Sequence, residues 1–151
     1  MKTEPISVRT ACEADLPAIA EIERQCFSVP WSEGALADTL HSGYAHLVLA
    51  QDGDTVIAYG GIYLLGDDAD ITNIATLPSH RRRGAASAIL SALEDCAFSR
   101  GAAAVHLEVR QSNTATAALY ASHGFTVDGV RRNYYKNPTE DAVLMTLHRK
   151  D

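Results

Sequence analysis

Between residues 70 and 100 the apolar residues change their spacing, and that change limits the architectures open to this chain more than any other feature. His46 to Gln51, Thr55 to Leu65 and Asp70 to Thr76 follow period two and read as three consecutive strands. Asp52-Gly53-Asp54 and Gly66-Asp67-Asp68 separate them. Connections this short and polar make neighbouring strands antiparallel, so the three form a meander. From Gly84 to Phe98 the period becomes helical, with Ala86, Ile89, Leu90, Leu93 and Ala97 along one side and Gly101 placed to end the helix.

The flanking segments extend this pattern. Ile6-Ser7-Val8-Arg9 alternates as a short strand, and Asp15 is placed to cap a helix reaching about Cys26, with Leu16, Ile19, Ala20 and Ile22 as its apolar positions. Ser32, after Pro30-Trp31, caps a second short helix bearing Leu36 and Leu40. Beyond the long helix, Ala103 to Arg110 reads as a strand, and Asn113 caps a helix through about His123. Gly124 ends it, Phe125-Thr126-Val127 returns to strand, and Asp141 to His148 forms the last strand. The expected fold is α/β, a mixed and mostly antiparallel central sheet flanked by helices. With 151 residues, 46% of them hydrophobic, the whole chain is expected to be one domain.

Charge and composition narrow the function classes. A formal net charge of −6 argues against general binding of nucleic acid, which draws on a basic surface. No run of about 18 apolar residues exists to cross a membrane, and Met1 to Pro5 has no apolar segment behind it to act as a secretory signal. A cytoplasmic protein is expected. Cys12, Cys26 and Cys96 are widely spaced, with no CxxC pair and no His cluster at ligand spacing, so reduced structural thiols and no metal site are expected. Local charge departs from the acidic average at Arg81-Arg82-Arg83 and again at Arg131-Arg132.

The first of these clusters lies where a strand feeds a helix. Leu77 to Ala86 runs from the strand ending near Thr76 into the helix beginning near Gly84. The first N–H groups of a helix have no intrahelical partner and stand at the positive end of its dipole, which suits a phosphate. Gly84 permits close approach to the backbone, Ala85 and Ala86 keep the entrance clear, and arginines add charge. Neither GxxxxGK[ST] nor GxGxxG is present, which disfavours a nucleotide triphosphate and a Rossmann dinucleotide site. The remaining pattern, Arg/Gln-x-x-Gly-x-Gly/Ala, resembles the pyrophosphate-binding motif of the GNAT superfamily.

In Ala104 to Arg110 the odd positions are apolar, which places His106, Glu108 and Arg110 on one face of a strand. A carboxylate in such an element can take a proton from an ammonium, directly or through water; it can equally pair with Arg110 or another cation across the sheet. Tyr120, on the helix after Asn113, is either a core aromatic or an acid for a departing thiolate. Asn113 is either a cap alone or also a partner for an amide of a pantetheine-like arm.

The chain is similar over most of its length to the RimI-type ribosomal-protein alanine N-acetyltransferases of that superfamily. The resemblance rests on Pro30-Trp31-Ser32, Asn73 to Thr76, Arg81 to Ala86, Leu107 to Arg110, Ser112-Asn113, Ala118-Leu119-Tyr120, Gly124-Phe125, Arg131 to Tyr135 and Glu140-Asp141-Ala142, in order and spacing. It implies the GNAT acyl-CoA N-acyltransferase fold and acetyl transfer from acetyl-CoA to a protein N-terminus, that of a ribosomal protein, by direct transfer in a ternary complex. It further implies that Glu108 is the general base and Tyr120 the general acid. Acetyl-CoA is expected to meet the backbone at Ile74, Ala75 and Thr76, the loop of Arg81, Arg82, Arg83, Gly84, Ala85, Ala86 and Ser87, and Asn113. Two departures stand out: Thr76 occupies a position where Val is usual, and Ala86 one where Gly is common. Trp31, Tyr134 and Tyr135 are expected to line an acceptor groove, with Glu21, Glu23, Glu33, Glu140 and Asp141 as candidates for an acidic field. Alternatives within the fold are a small-amine or lysine acetyltransferase and a catalytically silent acyl-CoA-binding module. The expected state is a monomer with a protein or peptide partner and no contact with nucleic acid or membrane.

Overall fold

The computed structural model describes residues 6–150; the reading of Met1 to Pro5 lies outside them. The strands are β1 (Ile6–Thr10), β2 (Ala45–Asp52), β3 (Thr55–Leu65), β4 (Asp68–Thr76), β5 (Ala104–Arg110), β6 (Thr126–Tyr135) and β7 (Glu140–His148). The helices are α1 (Leu16–Cys26), α2 (Glu33–Leu40), α3 (Ala85–Ser99) and α4 (Thr114–Ser122). All seven strands join one sheet in the order β1-β2-β3-β4-β5-β7-β6. Every pairing is antiparallel except that of β4 with β5, which runs parallel because α3 carries the chain across between them. The expected mixed, mostly antiparallel sheet is the observed one.

Helices cover both faces of β2 to β4, so these strands are buried on both sides. Leu47 and Leu49 point to α1 and α2, where Leu16, Ile19, Ile22, Leu36 and Tyr59 complete one core. Val48 and Ala50 point to α3, where Ile89, Leu90, Leu93, Ile62, Ile71, Val105 and Leu107 complete the other. At about 1.5–3 kcal/mol for each large apolar side chain, burial on two faces is the main term holding the strands together.

Gly60 shows how closely α3 is seated. A Cβ there would lie 2.5 Å from Ile89 Cγ2 and 3.1 Å from Leu93 Cδ1, while one on Gly61 would meet Thr72 Oγ1 at 2.6 Å from the opposite face. Gly60→Ala is expected to cost about 1–3 kcal/mol through overpacking. The check is a lowered urea midpoint at an unchanged m-value.

Two local readings need correction. Asp15 stands at the start of α1 but makes no cap bond to it. Its carboxylate turns back to accept from Cys12 N at 2.8 Å and from both Nη atoms of Arg9 at 2.8 Å. The Arg9 guanidinium holds that carboxyl well below the usual range. Pro17 in the first turn needs no acceptor, which removes part of the demand for a cap. Second, β6 runs to Tyr135, far beyond the Phe125 to Val127 stretch that alternation shows. It is an exposed edge strand with register breaks at Val127/Gly129 and Arg131/Tyr135, so it carries no buried period-two signal to read. Ser32 and Asn113 cap as expected: Ser32 Oγ accepts from Ala35 N at 3.1 Å, and Asn113 Oδ1 from Thr116 N at 3.3 Å.

Candidate active site

The site is built on an interruption of the sheet. The parallel ladder of β4 and β5 consists of Asp68↔Ala104, Ala69↔Val105 and Asp70↔His106, and then stops. β4 runs on to Thr76 and β5 to Arg110, so a wedge opens between the second half of β4 and the second half of β5. Among the described residues, the edge of β4 that faces this wedge at Ile74 and Ala75 has no strand partner, their other edge being paired with β3, and an extended ligand with amide groups can pair with such an edge. The carbonyl of Thr76 is already engaged, accepting from Cys26 Sγ at 3.2 Å and from Arg81 Nε at 3.3 Å.

At the mouth of the wedge the chain turns through a short 3₁₀ segment, Pro78–His80, into α3. Arg82 has φ 65° and Gly84 φ 83°, both left-handed. A non-glycine residue held there marks a loop whose backbone is fixed by its surroundings, a feature that clusters at ligand sites. No side chain caps α3, and its first recorded internal bond is Ala88 N to Gly84 O. The N–H groups of Ala85, Ala86 and Ser87 therefore lack intrahelical acceptors. A Cβ on Gly84 would meet nothing within 4 Å, so the space before the helix is open and suited to an anion such as a pyrophosphate.

The three arginines divide their work. Arg81 folds back onto Thr76 O and toward Cys26, and Arg83 Nη1 reaches Asp52 Oδ2 on β2 at 2.7 Å. Arg82, two residues before Gly84, combines a left-handed backbone with an exposed position. Arg81, Arg82 and Arg83 were all expected at the coenzyme; Arg81 and Arg83 each also have a protein partner. The Ser87 hydroxyl points to His123, with Oγ 2.8 Å from Nε2. Asn113 serves as a helix cap, and its side-chain oxygen is committed to Thr116.

Glu108 lies on the α1/α2 side of β5, two residues past the last β4 pair, with its side chain 33% exposed. Its cation is Arg131 from β6, with Nη1 at 3.7 Å, and not the neighbouring Arg110. Arg110 instead pins the turn between β6 and β7. It donates to Pro138 O at 3.0 Å and Lys136 O at 2.9 Å, lies 3.3 Å from Glu140 and stacks 4.5 Å from the Tyr135 ring centre. A hydrogen bond to Glu108, then burial, pushes the Tyr134 phenol up. Burial, then the Glu108 charge, does the same for Tyr135. Tyr120 is buried against Phe125, ring centres 5.9 Å apart, and burial pushes its phenol up to about 12. Tyr134 and Tyr135 meet edge to face with ring centres 5.1 Å apart, while Tyr120 belongs to the core on the α3 side of the sheet.

Trp31 belongs to the other wall. It packs against the α1/α2 core, and its N–H donates to Glu23 Oε1 at 2.8 Å. No hydrogen bond or ring contact among the described residues joins it to Tyr134 or Tyr135. Four of the candidate acidic residues have protein partners of their own. Glu21 pairs with Arg24, Glu140 accepts from Ser112 N and Arg110, and Asp141 accepts from Asn133 N. Glu23 is fully buried, accepting from Tyr59 Oη, Asn73 Nδ2 and Trp31 N. The carboxylate that feels the Glu108 charge is instead Asp70, which sequence reading did not single out. Burial foremost pushes Asp70 up, with His106 opposing and Asp68 and Glu108 adding. Its signal was the register: Asp70, in the first residues of β4, pairs with His106, two residues before Glu108 on β5.

Comparisons with known proteins bear on the family of the chain. The profile of the Acetyltransferase (GNAT) family matches residues 16–125. The chain is 40% identical over 135 residues to ribosomal protein bS18-alanine N-acetyltransferase of Escherichia coli K12, covering 88% of this chain and 90% of that protein. It is 38% identical over 149 residues to N-alpha-acetyltransferase RimI of Mycobacterium tuberculosis H37Rv, covering 95% and 92%. The crystal structure of the ribosomal-protein-S18-alanine N-acetyltransferase from Escherichia coli matches with a TM-score of 0.87 at 34% identity, over 95% of this chain and 94% of that one. A family profile over most of the sheet and relatives at this identity along nearly the whole length lead to one assignment: the chain belongs to the GNAT acetyltransferase family.

Proposed function

We propose that this chain, acting as one domain in the cytoplasm, transfers the acetyl group of acetyl-CoA to the α-amino group of a protein N-terminus. The acceptor that its relatives' names support is the N-terminal alanine of a ribosomal protein. The observation that carries the reading is the wedge between β4 and β5 with Glu108 beside its apex and an open helix start at its mouth.

The residues fit the coenzyme. The N–H groups of Ala85, Ala86 and Ser87, with Arg82, would hold its pyrophosphate, and the β4 edge at Ile74 and Ala75 would hold its amide-bearing arm. When bound, it supplies an acetyl carbon as a thioester electrophile. Glu108 takes the proton from the acceptor's ammonium, directly or through water, which frees the nitrogen lone pair to bond to that carbon. A backbone N–H of the sheet stabilises the oxygen as charge builds on it. Tyr120 keeps its proton at neutral pH, since burial holds the phenol near 12, and gives it to the sulfur as the C–S bond breaks. A thiolate leaving into apolar surroundings is also more basic than in water, which favours that transfer. Trp31, Tyr134 and Tyr135 are proposed as walls for the acceptor's first residues, with Tyr134 also steadying the Glu108 carboxylate.

The test is release of coenzyme A from acetyl-CoA with a short peptide carrying a free N-terminal alanine, beside the same peptide with that amine blocked. Blocking is expected to abolish turnover. Equal turnover on both peptides points to lysine acceptors, and turnover only on small amines overturns the peptide reading.

A further inference from the structure

Three side chains that acetyl transfer does not use lie together between α3 and α4. Ser87 and Glu94 are seven residues, two turns, apart on α3 and so share a face. His123, at the C-terminal cap of α4, reaches between them. Ser87 Oγ lies 2.8 Å from His123 Nε2, and His123 Nδ1 lies 2.7 Å from Glu94 Oε2. The His123 and Glu94 side chains are 13% and 16% exposed, while Ser87 retains partial access to solvent.

The geometry points to a second, hydrolytic centre, with Ser87 as nucleophile, His123 as its general base and Glu94 as the group that orients His123, acting on small carboxylic esters. A clasp joining two helices needs only one of these bonds. A base needs both, because the carboxylate on Nδ1 holds a proton there and leaves Nε2 as the acceptor facing the hydroxyl. A cavity of about 570 Å³ lies against His123 and Glu94, lined also by Phe98, Leu147, Arg149 and Lys150, and admits water to the imidazole.

The steps balance with ester and water alone. His123 Nε2 takes the Ser87 proton as Oγ bonds to the ester carbonyl carbon. The carbon–alkoxide bond breaks, and the alcohol departs with the proton from His123. A water molecule then loses a proton to His123 as it attacks the acyl carbon, the bond to Oγ breaks, and carboxylic acid and free Ser87 are restored.

The test uses the full-length protein with a fluorophosphonate reagent, followed by intact mass and peptide mapping, and with p-nitrophenyl acetate as a chromogenic ester. A single adduct on Ser87 is expected, with ester hydrolysis lost in Ser87→Ala. In His123→Gln both labelling and hydrolysis are expected to fall about a hundredfold or more. Wild-type protein that takes no adduct on Ser87 overturns the proposal, as does folded His123→Gln protein labelled at the wild-type rate; the three residues are then only a clasp. The wild-type arm requires no variant to fold, and circular dichroism with thermal melting separates a lost base from a lost fold. Neither coenzyme nor peptide is added, so the outcome is independent of the acetyl-transfer reading.

Discussion

Glu108→Gln is expected to lower kcat for acetylation of an N-terminal alanine peptide by about 10²–10⁴-fold, with a much smaller change in peptide KM. Glutamine keeps the length of the side chain and a carbonyl oxygen for the Tyr134 phenol, so the local shape survives. What it loses is the capacity to accept a proton from an ammonium. Arg131 loses its counter-charge, but that pair is long at 3.7 Å and the Arg131 side chain is 56% exposed, so stability should change by no more than about 1 kcal/mol. Steady-state kinetics with a melting curve on the same sample separate the two effects. Unchanged kcat would move the proton acceptor elsewhere, and Asp70, close enough to feel the charge of Glu108, is then the group to replace.

The largest loss of stability is expected at Glu23, far from any proton transfer. Glu23→Ala removes the acceptor for Tyr59 Oη, Asn73 Nδ2 and Trp31 N at a fully buried position. A buried donor left without a partner costs about 1–3 kcal/mol, and the missing side chain also leaves a void. Water entering that void offsets part of the cost, so a net loss of about 3–5 kcal/mol is expected, seen as a fall in Tm on the order of 10 °C for a domain of this size. Glu23→Gln should fall between the two proteins, because its amide nitrogen faces a donor where an oxygen stood. An alanine variant that melts like the wild type would show that the three donors find other acceptors. The loss is not only a matter of stability, since Glu23 ties the loop bearing Trp31 to Asn73, one residue before the β4 edge assigned to the coenzyme.

The sequence reading was strongest where burial imposes a period. β2, β3, β4 and α3 are packed on two faces, so their apolar residues could not be arranged otherwise, and their limits were legible within a few residues. β6 was not legible beyond its first residues, because an edge strand facing solvent is free to carry Asp128, Arg131, Arg132 and Asn133. Glu108 and its face followed from alternation alone, yet its partner did not. Alternation ranks neighbours along one strand, whereas Arg131 comes from a strand two places away across β7. Asp15 and Glu23 were misjudged for a related reason. A charged residue looks exposed in sequence until the tertiary partner that satisfies it is known, here Arg9 and Tyr59.

The early end of the β4 and β5 ladder bears on how this protein can vary. Three paired residues hold the strands side by side, and beyond them the sheet lacks one length of backbone partner. A ligand lying in that gap plays the part of a missing strand and is gripped by main-chain atoms, which no point substitution deletes. Side chains along Ile71 to Thr76 are thereby released to serve the two cores on either side, and a threonine at position 76 or an alanine at position 86 can be tolerated by drift. On the function proposed above, recognition of the donor would be stored in the path of the chain, and the identity of the acceptor left to the side chains around Glu108.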